Sequence, residues 1–228
     1  MTLKQCAQKV QDEVTSVRKI VSDLHAKLTK EGLVVWSAGN ISQRLKSADL
    51  FVIKPSGIAY DELTPESMVV CDLNGNLVDG THNPSSDTAA HAYVYRNMSD
   101  HVYGVVHTHS TYATAWAAAG EEIPCHLTMM ADEFGGQIPL GPFAIVGDDS
   151  IGRGIVDTLK GSKSVAVLMQ NHGPFTIGKD AKSAVKTAVM LEEVAKTTFI
   201  AKQIGSLVPI PKEIITKLHN RYQNVYGQ

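Results

Sequence analysis

The stretch Val102-Tyr-Gly-Val-Val-His107-Thr-His109-Ser110 runs apolar and then presents two histidines two residues apart. An extended chain places residues i and i+2 on one face, so a strand over 102–109 lets both imidazoles converge on a single ion. A second apolar run, over 164–169, is followed by Asn171-His172-Gly173, where glycine gives the chain room to turn the His172 ring inward. Three histidine nitrogens suit a divalent ion at bond lengths of roughly 2.0–2.1 Å and leave a coordination position open for substrate. Zinc is the expected ion; manganese or cobalt could use the same donors.

Around these two strands the patterns alternate between helix and strand. Val10, Val14, Val17, Val21, Leu24 and Leu28 recur every three or four residues and predict one long amphipathic helix stopped by Gly32. Strands are expected over 50–53, 68–71 and 77–78, the last two joined at Asn74-Gly75, a hairpin signal. Helices are expected over 87–96, capped by Ser85 or Ser86, and over 111–119, 150–159 and 181–204, the last closed by Gly205. The expected fold is three-layer α/β/α: a central, largely antiparallel sheet covered by helices, in one domain spanning 1–228.

The chain has 228 residues, 43% of them apolar, enough for a packed core without disulfides. Its 21 basic and 23 acidic side chains give a net charge of −2, which offers no broad surface for nucleic acid. The three cysteines, Cys6, Cys71 and Cys125, are scattered and predict a reducing, cytoplasmic setting. No apolar run approaches membrane-spanning length, and no signal pattern is read at the N-terminus.

A near-neutral protein must hold an anionic substrate with local groups. Gly39-Asn40-Ile-Ser42, Lys54-Pro-Ser56-Gly57 and Pro84-Ser85-Ser86-Asp87 combine backbone N–H groups with short donors, as phosphate oxygens require. Taken singly, each is also an ordinary turn or cap. His25, His82, His101 and His126 read as ordinary histidines and His91 as structural, while Glu192 and Glu193 are expected on a solvated or interface face of their helix. Trp36 and Trp116 read as core or subunit contacts.

Together these segments resemble the class II aldolase and L-ribulose-5-phosphate 4-epimerase superfamily. The likeness runs in order through Gly39-Asn40, Val52-Ile-Lys-Pro-Ser-Gly57, Pro84-Ser-Ser-Asp-Thr88, Val106-His-Thr-His-Ser110, Ala131-Asp132, Asn171-His-Gly-Pro-Phe175 and Tyr226-Gly-Gln228. It implies a nine-stranded, mainly antiparallel sheet between helices, a C4 homotetramer with active sites between subunits, and zinc on His107, His109 and His172 with Asp87 as a fourth ligand nearby. Gly39, Asn40, Ser56, Gly57, Ser85 and Ser86 match substrate- and phosphate-binding positions, and Asp132 and Tyr226 match the acid/base pair of the epimerase branch. Asp87 in place of glutamate and the ending Tyr-Gly-Gln favour that branch, whose substrate is a phosphorylated ketopentose. Ala38 before Gly39 resembles the aldolase form, and the stretch from Asp132 to His172 is shorter than in many epimerases. The resemblance leaves two alternatives: an aldolase acting on a sugar phosphate such as fuculose 1-phosphate, and a non-catalytic binding protein like the adducin head.

Overall fold

The computed structural model describes residues 2–225. Its elements are α1 (Gln8–Lys30), β1 (Asn40–Arg44), β2 (Leu50–Ile53), β3 (Val69–Asp72), β4 (Leu77–Asp79), α2 (Thr88–Asn97), β5 (Gly104–His107), α3 (Thr111–Ala119), α4 (Thr128–Phe134), β6 (Leu140–Gly141), α5 (Ser150–Leu159), β7 (Ala166–Met169), β8 (Gly173–Gly178), α6 (Ala181–Ile204) and α7 (Lys212–Asn224). Short 3-10 turns connect some of them. The strands form one sheet in the order β4-β3-β2-β1-β5-β8-β7-β6. Every neighbouring pair is antiparallel except β6 with β7.

Both faces of the sheet are covered, and β2 shows how the sequence achieves this. All four of its residues are buried. Leu50 and Val52 pack with α1 and α6 on one side, while Phe51 and Ile53 pack with α2 and α5 on the other. An unbroken apolar strand is what a sheet sandwiched between two helical layers demands. The three-layer expectation is therefore met.

The described residues contain eight strands in this sheet, not the nine expected. Ile123 and Ile138 form a single antiparallel bridge that does not grow into a strand pair. Each is followed by a proline, Pro124 and Pro139, which has no N–H to extend a ladder. None of the described helices is long and apolar enough to cross a membrane.

The long first helix ends as its sequence foretells. Gly32 takes φ +67° and the Leu33 N–H reaches back to the Leu28 carbonyl. The helix is tied to the sheet by His25, which is fully buried. Its Nδ1 lies 2.7 Å from the Val21 carbonyl and its Nε2 accepts from the Ile41 N–H at 3.1 Å. These partners require the neutral ring carrying its proton on Nδ1. Burial pushes His25 down to about 3, and the unfolded chain, with a histidine near 6.5, binds that proton more readily. The stability His25 contributes is thus full above pH 6.5 and is lost as pH falls from there towards 3. In urea melts the midpoint should fall steadily below pH 6.5, and His25→Gln should be less stable at pH 7 yet show a shallower fall. A variant with the wild-type acid slope would remove His25 from this account.

Candidate metal centre

β5 delivers His107 to the edge of the α2/α5 side of the sheet, where it is buried. Its ring stacks on Phe175 of β8, with centroids 4.2 Å apart and planes 15° from parallel. Its Nδ1 lies 3.0 Å from the Pro174 carbonyl. A carbonyl can only accept, so Nδ1 carries the proton and Nε2 is left with its lone pair facing inward. That lone pair lies 2.9 Å from Nε2 of His109. His172 completes the group: one ring nitrogen from each of the three histidines lies within 4.8 Å of the others.

The loop carrying His172 is shaped for this approach. Asn171 adopts φ +57°. A Cβ on Gly173 would stand 2.8 Å from the Thr108 carbonyl and 3.5 Å from Cε1 of His107, so glycine is needed for the two histidine segments to meet.

These residues fit a first-row divalent ion. Burial pushes His107 down to about 3, opposed by the Asp87 carboxylate and reinforced by His172 and His109. Burial also lowers His109 and His172. All three rings are therefore neutral at pH 7, the form that ligates metal. Nδ1 of His172 is buried with no hydrogen-bond partner among the described residues. The close pair of Nε2 atoms is satisfied either by a proton on His109 or by a cation between the lone pairs. Two ligands held at 2.0–2.1 Å from one ion stand about 3 Å apart.

His109 and His172 open onto a cavity of about 420 Å³. Gly39, Asn40, Ser56, Gly57, Ser85, Ser86 and Asp87 all line it, so the three segments singled out for anion binding come together beside the triad. Hydrogen bonds lace the segments to one another. Ser85 donates its N–H to the Lys54 carbonyl, and Ser56 to that of Asn83. The Asn40 amide donates to Ser85 Oγ at 3.0 Å and to Asp87 Oδ2 at 2.7 Å. Gly39 has φ +84°, and a Cβ there would stand 2.8 Å from the His107 carbonyl.

Asp87 is buried, and its Oδ1 has no hydrogen-bond partner among the described residues. Burial raises its carboxyl, but interaction with the neighbouring His107 and His91 rings, felt when those rings are protonated, and the hydrogen bond from the Asn40 amide outweigh this and hold it below the usual range. It is not one of the residues in the three-nitrogen cluster. The expected cap at Ser85 or Ser86 is corrected: Asp87 is the N-cap of α2, with no side-chain cap bond. Its carboxylate is engaged by Asn40 instead, and the Ser85 carbonyl receives both the N–H and the hydroxyl of Thr88.

Ser42 of the singled-out segments takes another place. It turns away into the core, where Oγ lies 2.7 Å from His91 Nδ1 and 2.7 Å from the Tyr95 hydroxyl. Lys54, by contrast, lines the cavity although it is buried. Its ammonium donates to the Ser37 and Pro55 carbonyls and lies 5.4 Å from the centre of the Tyr60 ring. Burial lowers it to about 8, so it still carries its charge at neutral pH. Val146 also lines the cavity from the loop before α5, a position that nothing in its local sequence marks.

Asp132 lies on helix α4 and is not among the residues lining the cavity. Its carbonyl faces Nδ1 of His219 on α7 at 3.0 Å, and its Oδ1 is buried without a hydrogen-bond partner among the described residues. Tyr226 lies outside the described residues. Of the tryptophans, Trp116 is buried against α6 and Trp36 is exposed beside the cavity segment Ser37-Ala38.

The fold has counterparts among known proteins. Residues 19–199 match the family model described as the class II aldolase and adducin N-terminal domain. The chain belongs to that family. An L-fuculose 1-phosphate aldolase is similar at 27% identity and TM-score 0.85, over 91% of this chain and 96% of that one. YgbL of Escherichia coli, for which aldolase, epimerase and decarboxylase are all named, is 27% identical at TM-score 0.79, over 90% of this chain and 98% of that one. The L-fuculose-1-phosphate aldolase of Thermus thermophilus shares the fold at 22% identity and TM-score 0.70, over 88% of this chain and 100% of that one.

Proposed function

We propose that the protein is a zinc-dependent L-ribulose-5-phosphate 4-epimerase, interconverting L-ribulose 5-phosphate and D-xylulose 5-phosphate in the cytoplasm. One observation carries the reading: neutral imidazoles and an ionised, buried Asp87 face a ring of Ser, Asn, Gly and Lys donors across one cavity. Asp87 itself and the terminal Tyr-Gly-Gln support the epimerase branch.

The C4 carbon of a ketopentose phosphate bears no acidic hydrogen, so its inversion is easier by breaking and remaking the C3–C4 bond. When bound to His107, His109 and His172, a divalent ion would polarise the ketose carbonyl and stabilise negative charge developing on the cleaved fragment. Ser56, Gly57, Ser85 and Ser86 would hold the phosphate of the other fragment, with Lys54 adding charge and Asn40 fixing Ser85 and Asp87. Tethered in this way, glycolaldehyde phosphate would turn its other face to the bond without leaving. The C4 oxygen then points to opposite sides in the two epimers, so two proton carriers are required. Asp132 and Tyr226 are assigned to those roles. Because Asp132 does not line the cavity of its own chain, it would act on the site of a second copy, in the proposed C4 homotetramer. An ordinary tyrosine near 10 is a weak base at neutral pH, so Tyr226 needs nearby positive charge to take part.

An aldolase of the fuculose-1-phosphate kind is the second reading. It is favoured by the 27% identity to such an enzyme and by Ala38 before Gly39. The intact triad argues against a non-catalytic, adducin-like role. To decide, metal-loaded protein is incubated with L-ribulose 5-phosphate and the products are identified by NMR. D-xylulose 5-phosphate without free glycolaldehyde phosphate is the expected result. No conversion with metal bound, together with dihydroxyacetone phosphate released from fuculose 1-phosphate, would replace the epimerase with the aldolase.

A further inference from the structure

α3 begins directly after His107-Thr-His109-Ser110, so its placement sets where His109 sits. Its own start is poorly capped: the N-cap, Ser110, makes no side-chain cap bond. The free N–H groups of the first turn are met from far along the chain. Tyr112 donates its N–H to Glu192 Oε1 at 2.8 Å, and Ala113 to Oε2 at 2.9 Å. A carboxylate at this end also opposes the positive pole of the helix. Glu193 is exposed as expected, but Glu192 is half-buried and turned inward onto α3.

The far end of α3 holds the other histidine loop. The Ala117 carbonyl accepts from the N–H of Asn171, the left-handed residue immediately before His172. One short helix therefore touches both loops that bring ligands to the triad. α6 grips it at more than one point, since Trp116 donates its indole N–H to the Ala195 carbonyl at 3.1 Å.

We infer that Glu192 is a positioning residue for the metal centre, registering α3 so that His109 and His172 are held together at ligand spacing. Removing a group that orients ligands costs typically 10–100-fold in metal affinity. The inference rests on the triad being a metal site. The Glu192→Gln variant keeps the size of the side chain but offers a donor where an acceptor is needed, opposing one of the two N–H groups. Zinc affinity is measured by competition with a chromophoric chelator on the full-length protein, together with the visible spectrum of the cobalt form and the melting temperature.

The expected result is a zinc Kd raised roughly 10–100-fold and altered cobalt bands. Glu133→Gln serves as the comparison for general destabilisation, because Glu133 is a buried carboxylate bonded to Lys186 and Thr187 with no part in either loop. Its Kd and cobalt bands should match wild type. A Glu192→Gln protein with wild-type Kd and bands, or a Glu133→Gln protein equally weakened, overturns the inference. If Glu192→Gln cannot be purified folded, Glu192→Asp, one methylene too short, is read by the same criteria. Failure of the wild-type protein itself to bind zinc would instead overturn the metal reading on which the inference stands.

Discussion

Replacing His107 with alanine is expected to remove metal binding and catalysis together. His107 is the most enclosed member of the triad: its Nδ1 is fixed by Pro174, its ring by Phe175, and its Nε2 by nothing but His109 and the space where an ion would sit. Loss of a direct ligand should exceed the roughly 100-fold upper range for loss of a supporting residue. Activity should fall in parallel and should not be recovered at ordinary zinc concentrations. The buried ring also fills volume, so a stability loss of about 2–5 kcal/mol, the range for large-to-small core substitutions, accompanies the change and is read as a lower melting temperature. Dialysed His107→Ala protein retaining one ion per chain by elemental analysis would contradict this assignment.

The second large effect is expected at Asp132. Asp132→Asn should keep wild-type metal content, because the residue is not part of the three-nitrogen cluster. Its backbone carbonyl, which faces His219, is untouched by the substitution, so the α4–α7 contact should survive. Epimerisation should fall by ~10²–10⁴-fold, the usual contribution of a positioned proton carrier. Normal turnover in this variant would remove Asp132 from the mechanism. Mixing Asp132→Asn with His107→Ala chains adds a check on the second copy. If Asp132 serves a neighbouring site, mixed oligomers contain some sites with both functional residues and should recover part of the activity lost in each variant alone.

The histidine centre is legible in the sequence because its logic is local. The strand expected over 102–109 is shorter, ending at His107, yet His109 just beyond it still turns its ring to that of His107. The helices α3, α5 and α6 have the expected bounds, and α3 and α6 are closed by Gly120 and Gly205, where apolar pattern and stop signal agree.

Elements whose burial is polar or whose punctuation misleads do not read as elements at all. β1, Asn-Ile-Ser-Gln-Arg, has one aliphatic residue and looks like a turn. Asn40 and Ser42 are nonetheless buried: Asp87 and Ser85 accept from the Asn40 NH2 group, and His91 and Tyr95 bond the Ser42 hydroxyl across the fold. β8 starts at Gly173-Pro174 and ends in glycine, yet lies between β5 and β7. Pro174 lies at the start of that strand, and its carbonyl accepts from the backbone of Thr108 and from the His107 ring. α4 is only seven residues long, too short for a strong periodic signal, whereas α7 has helical spacing in Ile214, Ile215, Leu218 and Tyr222 but no fully buried residue. Glu192 reads as one more solvated charge for a related reason: its partners lie 79 and 80 residues away, beyond the reach of any local pattern.

The central claim is that His107, His109 and His172 together hold one divalent ion in the working protein. Its most direct test is anomalous diffraction at the zinc edge from crystals of zinc-loaded protein, with elemental analysis of the same sample. The account predicts one ion per chain, with a nitrogen from each of these three histidines at roughly 2.0–2.1 Å and an open side facing the cavity lined by Ser85, Ser86 and Asp87. An ion bound elsewhere, or a metal-free protein that turns over substrate at full rate after chelation, would contradict it.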